Sequence, residues 1–155
     1  MGSYGNCNFD ELKKFRNKLS TLEKTKAQEF IEACAKELAA ILLAKVIKRT
    51  PVGIYPSGSG KVGGTLRRGW TGGTNQNAIN YAQSLQIQHI GNVYKIVITN
   101  PVDYSSYVEF GHRTRNHKGW VEGKFMLTIS EQEIQTIAPK VLENKIKKLL
   151  GECFT

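Results

Sequence analysis

Apolar residues recur at three-to-four spacing near both ends of the chain and alternate with polar ones in the middle. The first stretch, FDELKKFRNKLSTL, sets Phe9, Leu12, Phe15 (or Arg16) and Leu19 on one face and predicts a short amphipathic helix. A longer helix is predicted to follow over EKTKAQEFIEACAKELAAILLAKVIKRT. Its stripe is Ala27, Phe30, Ile31, Cys34, Leu38, Ile41, Leu42 and Val46, with Lys and Glu on the other face. Pro51 bounds it, because the residue before a proline is pushed out of the α region. The basic KVIKR end suits the negative end of the helix dipole.

Eight of the 23 residues from Pro51 to Gly73 are glycine, which predicts a flexible loop tightening around TLRRGW as a short strand. Next, YAQSLQIQHIGNVYKIVITN alternates. Leu85, Ile87 and His89 (or Ile90) mark one strand, and Val93, Ile96 and Ile98 the next, with the Gly91-Asn92 pair as a hairpin turn. Asp103 is placed to cap a helical turn carrying Tyr104, Tyr107 and Val108, which Gly111 ends. A last helix is predicted from about Phe125 to Leu150, with Ile129 (or Ser130), Ile134, Ile137, Val141, Leu142, Ile146, Leu149 and Leu150 as its stripe. Pro139 should kink it or split it in two. The fold class is α+β: long N- and C-terminal helices packed on a small antiparallel sheet. One domain over 1–155 is expected, with 1–20 as an extra N-terminal helix and 52–64 as a flexible glycine-rich loop.

Composition narrows the picture. At 155 residues and 40% apolar, the chain can build a modest core. No run approaches a membrane span, and the start lacks a basic end followed by an apolar run, so a soluble, intracellular protein is expected. Cys7, Cys34 and Cys153 are odd in number and widely separated, which argues against a disulfide framework or a zinc ribbon. Cys34 reads as core filler. The net charge of +9 fits contact with nucleic acid or acidic protein and is densest in the glycine-rich middle.

The candidate chemistry is thin. SGSGK falls short of a phosphate loop, because Tyr55 stands where the first glycine belongs and Val62 where the Ser or Thr belongs. His112 and His117 lie three and eight residues beyond Glu109, among arginines whose charge opposes a divalent metal. Ser105 and Ser106 lack a nucleophile elbow, and the middle of the chain offers only Asp103 and Glu109 as acids. Cofactors are therefore not expected. What stands out is a basic and aromatic mixture: Arg67, Arg68, Arg113, Arg115, His117 and Lys118, flanked by Trp70 and Trp120. Such mixtures serve single-stranded nucleic acid and protein interfaces alike. A core role for Trp70, Tyr107, Phe110 and Trp120 is the alternative.

The stretch YSSYVEFGHRTRNHKGWVEGKFML carries a pattern: Tyr-x-x-Tyr-Val-Glu-aromatic-Gly-His-Arg-x-Arg, an insertion, then Gly-Trp-Val-x-Gly-Lys-Phe-Met-Leu. It resembles the hallmark of the tail-component family of siphophages and prophages, whose members act as neck, tail-completion or head–tail joining proteins. The preceding RTPVG…GTLRRGW is similar to that family's Thr-Pro…Leu-Arg segment. The resemblance covers roughly 25–150, with a longer, glycine-richer loop between Pro51 and Leu66 and a distinct N-terminal helix as departures. It implies a non-enzymatic virion protein, made in the host bacterial cytoplasm. It also implies a ring of copies between head connector and tail, with phage neck, connector and tail proteins as partners and genomic DNA in passing, and no membrane. The positions matching the pattern are Leu66, Arg67, Trp70, Tyr104, Tyr107, Glu109, Gly111, Arg113, Arg115, Trp120 and Phe125, expected to serve assembly and not catalysis. Aromatics are expected to tie the loop to the sheet and last helix while Arg113 and Arg115 face outward. Glu109 is expected either at the interface or paired with Arg113. A nucleic-acid-binding protein of a mobile element is the alternative reading.

Overall fold

The computed structural model describes residues 10–153. Helix α1 runs without a break from Asp10 to Arg49, so the expected pair of N-terminal helices is one. No glycine or proline interrupts this span. Thr21 and Thr25 donate their hydroxyls back to the carbonyls of Asn17 and Thr21, as hydroxyls inside a helix do, instead of capping a new one. At 40 residues, α1 is about 60 Å long. Phe9 and Cys7 lie outside the described residues.

Two short helices follow, α2 (Thr65–Gly69) and α3 (Ala78–Ser84). The strand expected at TLRRGW is thus a helical turn, opened by Gly64 at a φ of 91°. Asn77 caps α3 by accepting from the Asn80 amide at 2.8 Å. Strands β1 (Gln88–Ile90) and β2 (Val93–Lys95) form the expected antiparallel hairpin around Gly91-Asn92. Helix α4 (Ser105–Phe110) follows, closed by Gly111. Asp103 does not cap it: Tyr104 holds the cap position with no side-chain bond, and the Ser105 amide donates to the Val102 carbonyl at 2.8 Å. Strands β3 (Gly111–Arg113) and β4 (Trp120–Glu122) make a second antiparallel hairpin, and α5 (Met126–Cys153) ends the fold. Pro139 stands inside α5 without splitting it.

The fold is mixed α+β and mostly helical, with long first and last helices. Its strands form two separate two-stranded hairpins, not one sheet. Helices α1 and α5 run antiparallel, joined by Glu133, which accepts from Lys45 and Arg49, and by Lys145 with Glu37. Helix α3 packs on α1, and Lys36 donates to the Gln83 carbonyl there. The buried core gathers Ala39, Ala40, Leu43 and Val46 of α1 with Leu66, Trp70, Ala82 and Met126. The α1 stripe is therefore rotated from the expected one, since Leu43 is fully buried while Ile31 is 40% exposed. Both α3 and α5 pack on α1, and the small Ala39 and Ala40 lie in the buried core. On α5 the fully buried positions are Met126 and Ser130, while Ile129, Ile146, Leu149 and Leu150 remain exposed. No helix among the described residues is long and apolar enough to cross a membrane.

Candidate docking site

The first quoted motif closes the C-terminus of α1. A helix end leaves carbonyls without partners. Here Arg67 forks onto the Thr50 carbonyl, donating from Nε at 3.2 Å and from a terminal nitrogen at 2.7 Å. The Trp70 indole N–H donates to the Thr50 hydroxyl at 2.8 Å, and that hydroxyl donates to the Val46 carbonyl at 2.7 Å. Leu66 and Trp70 are buried. Asn100 completes the knot: its amide donates to the Leu66 carbonyl at 2.8 Å. A Cβ on Gly69 would come within 2.2 Å of the Asn100 side chain, so a larger residue there would have to push Asn100 off the Leu66 carbonyl. Leu66, Arg67 and Trp70 are thus held inward, and the expected grouping of Trp70 with the loop aromatics does not occur.

The second motif caps the other long helix. Glu109 is buried, and one carboxylate oxygen accepts from the Leu127 amide at 2.9 Å. The other accepts from the Thr128 amide at 2.9 Å and from its hydroxyl at 2.8 Å. This is an N-cap delivered from a distant helix, with negative charge at the positive end of the α5 dipole. Glu109 is buried and makes no ion pair with Arg113 among the described residues, so the expected pairing with that arginine does not form. Glycines make the approach possible. Gly111 has a φ of 88°, and a Cβ there would lie 2.5 Å from the Val121 carbonyl oxygen. A Cβ on Gly123 would lie 2.2 Å from the Glu109 carbonyl oxygen. Phe125 donates its amide to that carbonyl at 3.0 Å and sits at a φ of 46°, a conformation rare for an aromatic residue.

From this anchored base projects the β3–β4 hairpin. Its loop, TRNHKG, is ordered by its own bonds: the Thr114 amide donates to the Gly119 carbonyl at 3.0 Å, and the Gly119 amide returns to the Thr114 hydroxyl at 3.0 Å. Asn116 accepts from the Thr114 hydroxyl at 2.6 Å. Arg113, Arg115, His117 and Lys118 are exposed, and none has an acidic partner among the described residues. Arg113 stands opposite Trp120 in the ladder, so both share a face, and the Trp120 indole lies over Gly111. On the opposite face, His112 meets the Tyr107 ring edge-on at 5.8 Å. The His112 Nδ1 is buried without a hydrogen-bond partner among the described residues.

The aromatics expected to tie the loop to the sheet and last helix remain largely uncovered. Tyr104, Tyr107, Phe110, Trp120 and Phe125 are each more than 40% exposed, with Trp120 at 59% and Phe110 at 61%. One end of the molecule therefore presents cations and uncovered rings on a rigid hairpin, a composition suited to docking. Among the described residues no group of three or more His, Cys, Asp or Glu could hold a metal. Burial raises the Cys34 thiol above its ordinary range, which suits packing and not reactivity. Hydrogen bonds from Lys45 and then Arg49 lower Glu133.

Sequence reasoning missed Thr50, Asn100, Gly123 and Glu133. Thr-Pro at a helix end and Asn-Pro at a strand end were signals for the first two; Gly123 and Glu133 carry none without the partner that each meets.

A family model described as "Bacteriophage HK97-gp10, putative tail-component" matches residues 13–111. The match reaches back into the first half of α1, so that part of the helix is not a departure from the family, and it stops at Gly111, before the β3–β4 loop. No curated protein and no solved structure matches the chain.

Proposed function

Because the chain belongs to the HK97-gp10-like family of bacteriophage tail components, we propose that it works in the neck, joining the head connector to the tail as a ring of copies, without catalysis. The observation that carries this reading is the division of labour within the two motifs. Half-buried Arg67 and buried Trp70, Glu109 and Gly111 fasten the ends of α1 and α5. What they fasten is a hairpin whose Arg113, Arg115, Lys118 and Trp120 are all uncovered. A rigid base under unpaired cations and aromatic rings suits a protein partner with an acidic, partly apolar surface. The protein would be made in the host cytoplasm and carried in the virion, with DNA passing nearby.

Electron microscopy of particles assembled without this gene tests the reading. Separate heads and tails are expected; normal joined particles would overturn it. The same exposed cations also favour a second reading, a nucleic-acid-binding protein of a mobile element. That reading requires DNA affinity falling steeply with salt. A filter-binding series with no affinity at low salt removes it.

A further inference from the structure

Among the described residues, no strand pairs with the segment that follows β2. Ile96 and Ile98 are half-buried against the core, while Val97 and Thr99 are exposed, the alternation of an extended chain lying on a core. Yet the hairpin ladder stops at Lys95. Among the described residues, no hydrogen bond reaches the backbone of Ile96, Val97, Ile98 or Thr99. Four consecutive residues of extended chain without backbone partners form an open edge. Beside it lies a groove of about 400 Å³, lined by Trp70, Ile98, Asn100, Phe110, Met126 and Leu127. A strand added to that edge would place its side chains in this groove, which is how extended segments are bound by sheet edges.

We propose that the occupant is the outer edge of β1 from a second copy of this chain, so that copies join head to tail through a shared sheet. Three observations select it. First, β1 belongs to a two-stranded sheet, so its far edge is also open. Second, β1 offers Ile90, 60% exposed, as an apolar side chain for the groove. Third, charge permits it. Lys95 is the only Lys, Arg, Asp or Glu between Arg68 and Asp103, in a chain whose net charge is +9. The charged residues that line the groove itself are acidic, Glu109 and Glu131, so a second copy of this basic chain meets no like charge there, whereas nucleic acid would meet carboxylates. Pairing one edge of a hairpin with the opposite edge of the next is a heterologous contact, the kind that closes into a ring. This inference rests on the ring in the proposed function and names the surface that builds it.

Sedimentation over a concentration series tests it, with wild type, Val97→Pro, Val97→Lys and Val97→Thr. The Val97 amide has no partner among the described residues, so the proline removes only a bond to a neighbour. Wild type and V97T are expected to self-associate equally. V97P and V97K should associate at least about tenfold more weakly with unchanged melting temperatures. Should V97P melt early, hydrogen exchange on the wild type decides: amides of Ile96–Thr99 and Gln88–Ile90 must slow on association. Association with no such protection, or undiminished in both V97P and V97K, overturns the edge and leaves the ring reading standing on another surface. A wild-type protein that stays monomeric at every concentration overturns the pairing between copies, while the joining role is judged separately by the particles made without the gene.

Discussion

Glu109 shows how a residue can look functional and be structural. It sits in the most distinctive stretch of the chain, beside histidines and arginines, yet its carboxylate is spent on two amides and a hydroxyl at the start of α5. Glu109→Ala leaves these donors without a partner in a buried place, a cost of about 2 kcal/mol. A thermal melt should fall by about 4–8 °C, and joined particles should decline only in step with that loss of folded protein. A melt unchanged by the substitution would mean that the cap contributes nothing. The two glycines of the same stretch act by size and not by charge. Gly111→Ala brings a methyl within 2.5 Å of a backbone oxygen, at a φ of 88° that alanine resists. Its loss of stability in urea should be at least as large as that of Glu109→Ala, because backbone on the other side cannot swing away as a side chain would.

At the scale of elements, both long helices end on residues contributed from elsewhere. Thr50 holds the end of α1 with three partners: the Val46 carbonyl, the Trp70 indole and the Arg67 guanidinium. Thr50→Val keeps the shape and removes the hydroxyl, leaving the buried indole N–H unpaired, so a loss of about 1–3 kcal/mol is expected in urea denaturation. The α1–α5 pairing depends on Glu133, whose pKa the hydrogen bonds from Lys45 and then Arg49 hold below the ordinary carboxylate range. A lowered folded value means that its stabilisation is complete above the ordinary carboxylate range and is lost as pH falls through the folded value. Wild type should therefore lose melting temperature on acidification below about pH 4 faster than Glu133→Gln, which lacks the titrating group; parallel curves would deny the bridge a role. These elements also mark what could be read in the sequence. Helical spacing revealed α1 and α5, and Gly91-Asn92 revealed the hairpin, because those signals are local. The rotated stripe of α1 was hidden because it depends on which neighbours press on it. The capping roles of Arg67, Trp70 and Glu109 were hidden because each acts on a helix end distant in sequence. The motif positions themselves were legible; their division into buried fasteners and exposed rings was not.

Over the whole molecule, charge is sorted by place. The strip from Gly69 to Val102 is nearly neutral, while the β3–β4 loop gathers Arg113, Arg115, His117 and Lys118 with no acidic partner among the described residues. The two regions therefore suit different neighbours, like copies along the strip and an acidic partner at the loop. Reversing charge at the loop separates docking from folding. Arg113 and Arg115 are exposed and make no ion pair among the described residues, so Arg113→Glu with Arg115→Glu should shift stability by no more than about 0.5 kcal/mol for each position. Docking should suffer much more, since like charges brought face to face slow encounter and oppose the final contact. Complementation of a phage lacking this gene, scored as joined particles by electron microscopy, should fall sharply with the double variant and recover with Arg113→Lys and Arg115→Lys, which restore the charge. The loss should ease as salt is raised during assembly in extracts, because screening weakens exposed repulsion. Full joining by the double variant, with an unchanged melt, would place the docking contact on the uncovered rings of Tyr107, Phe110 and Trp120 and away from the cations.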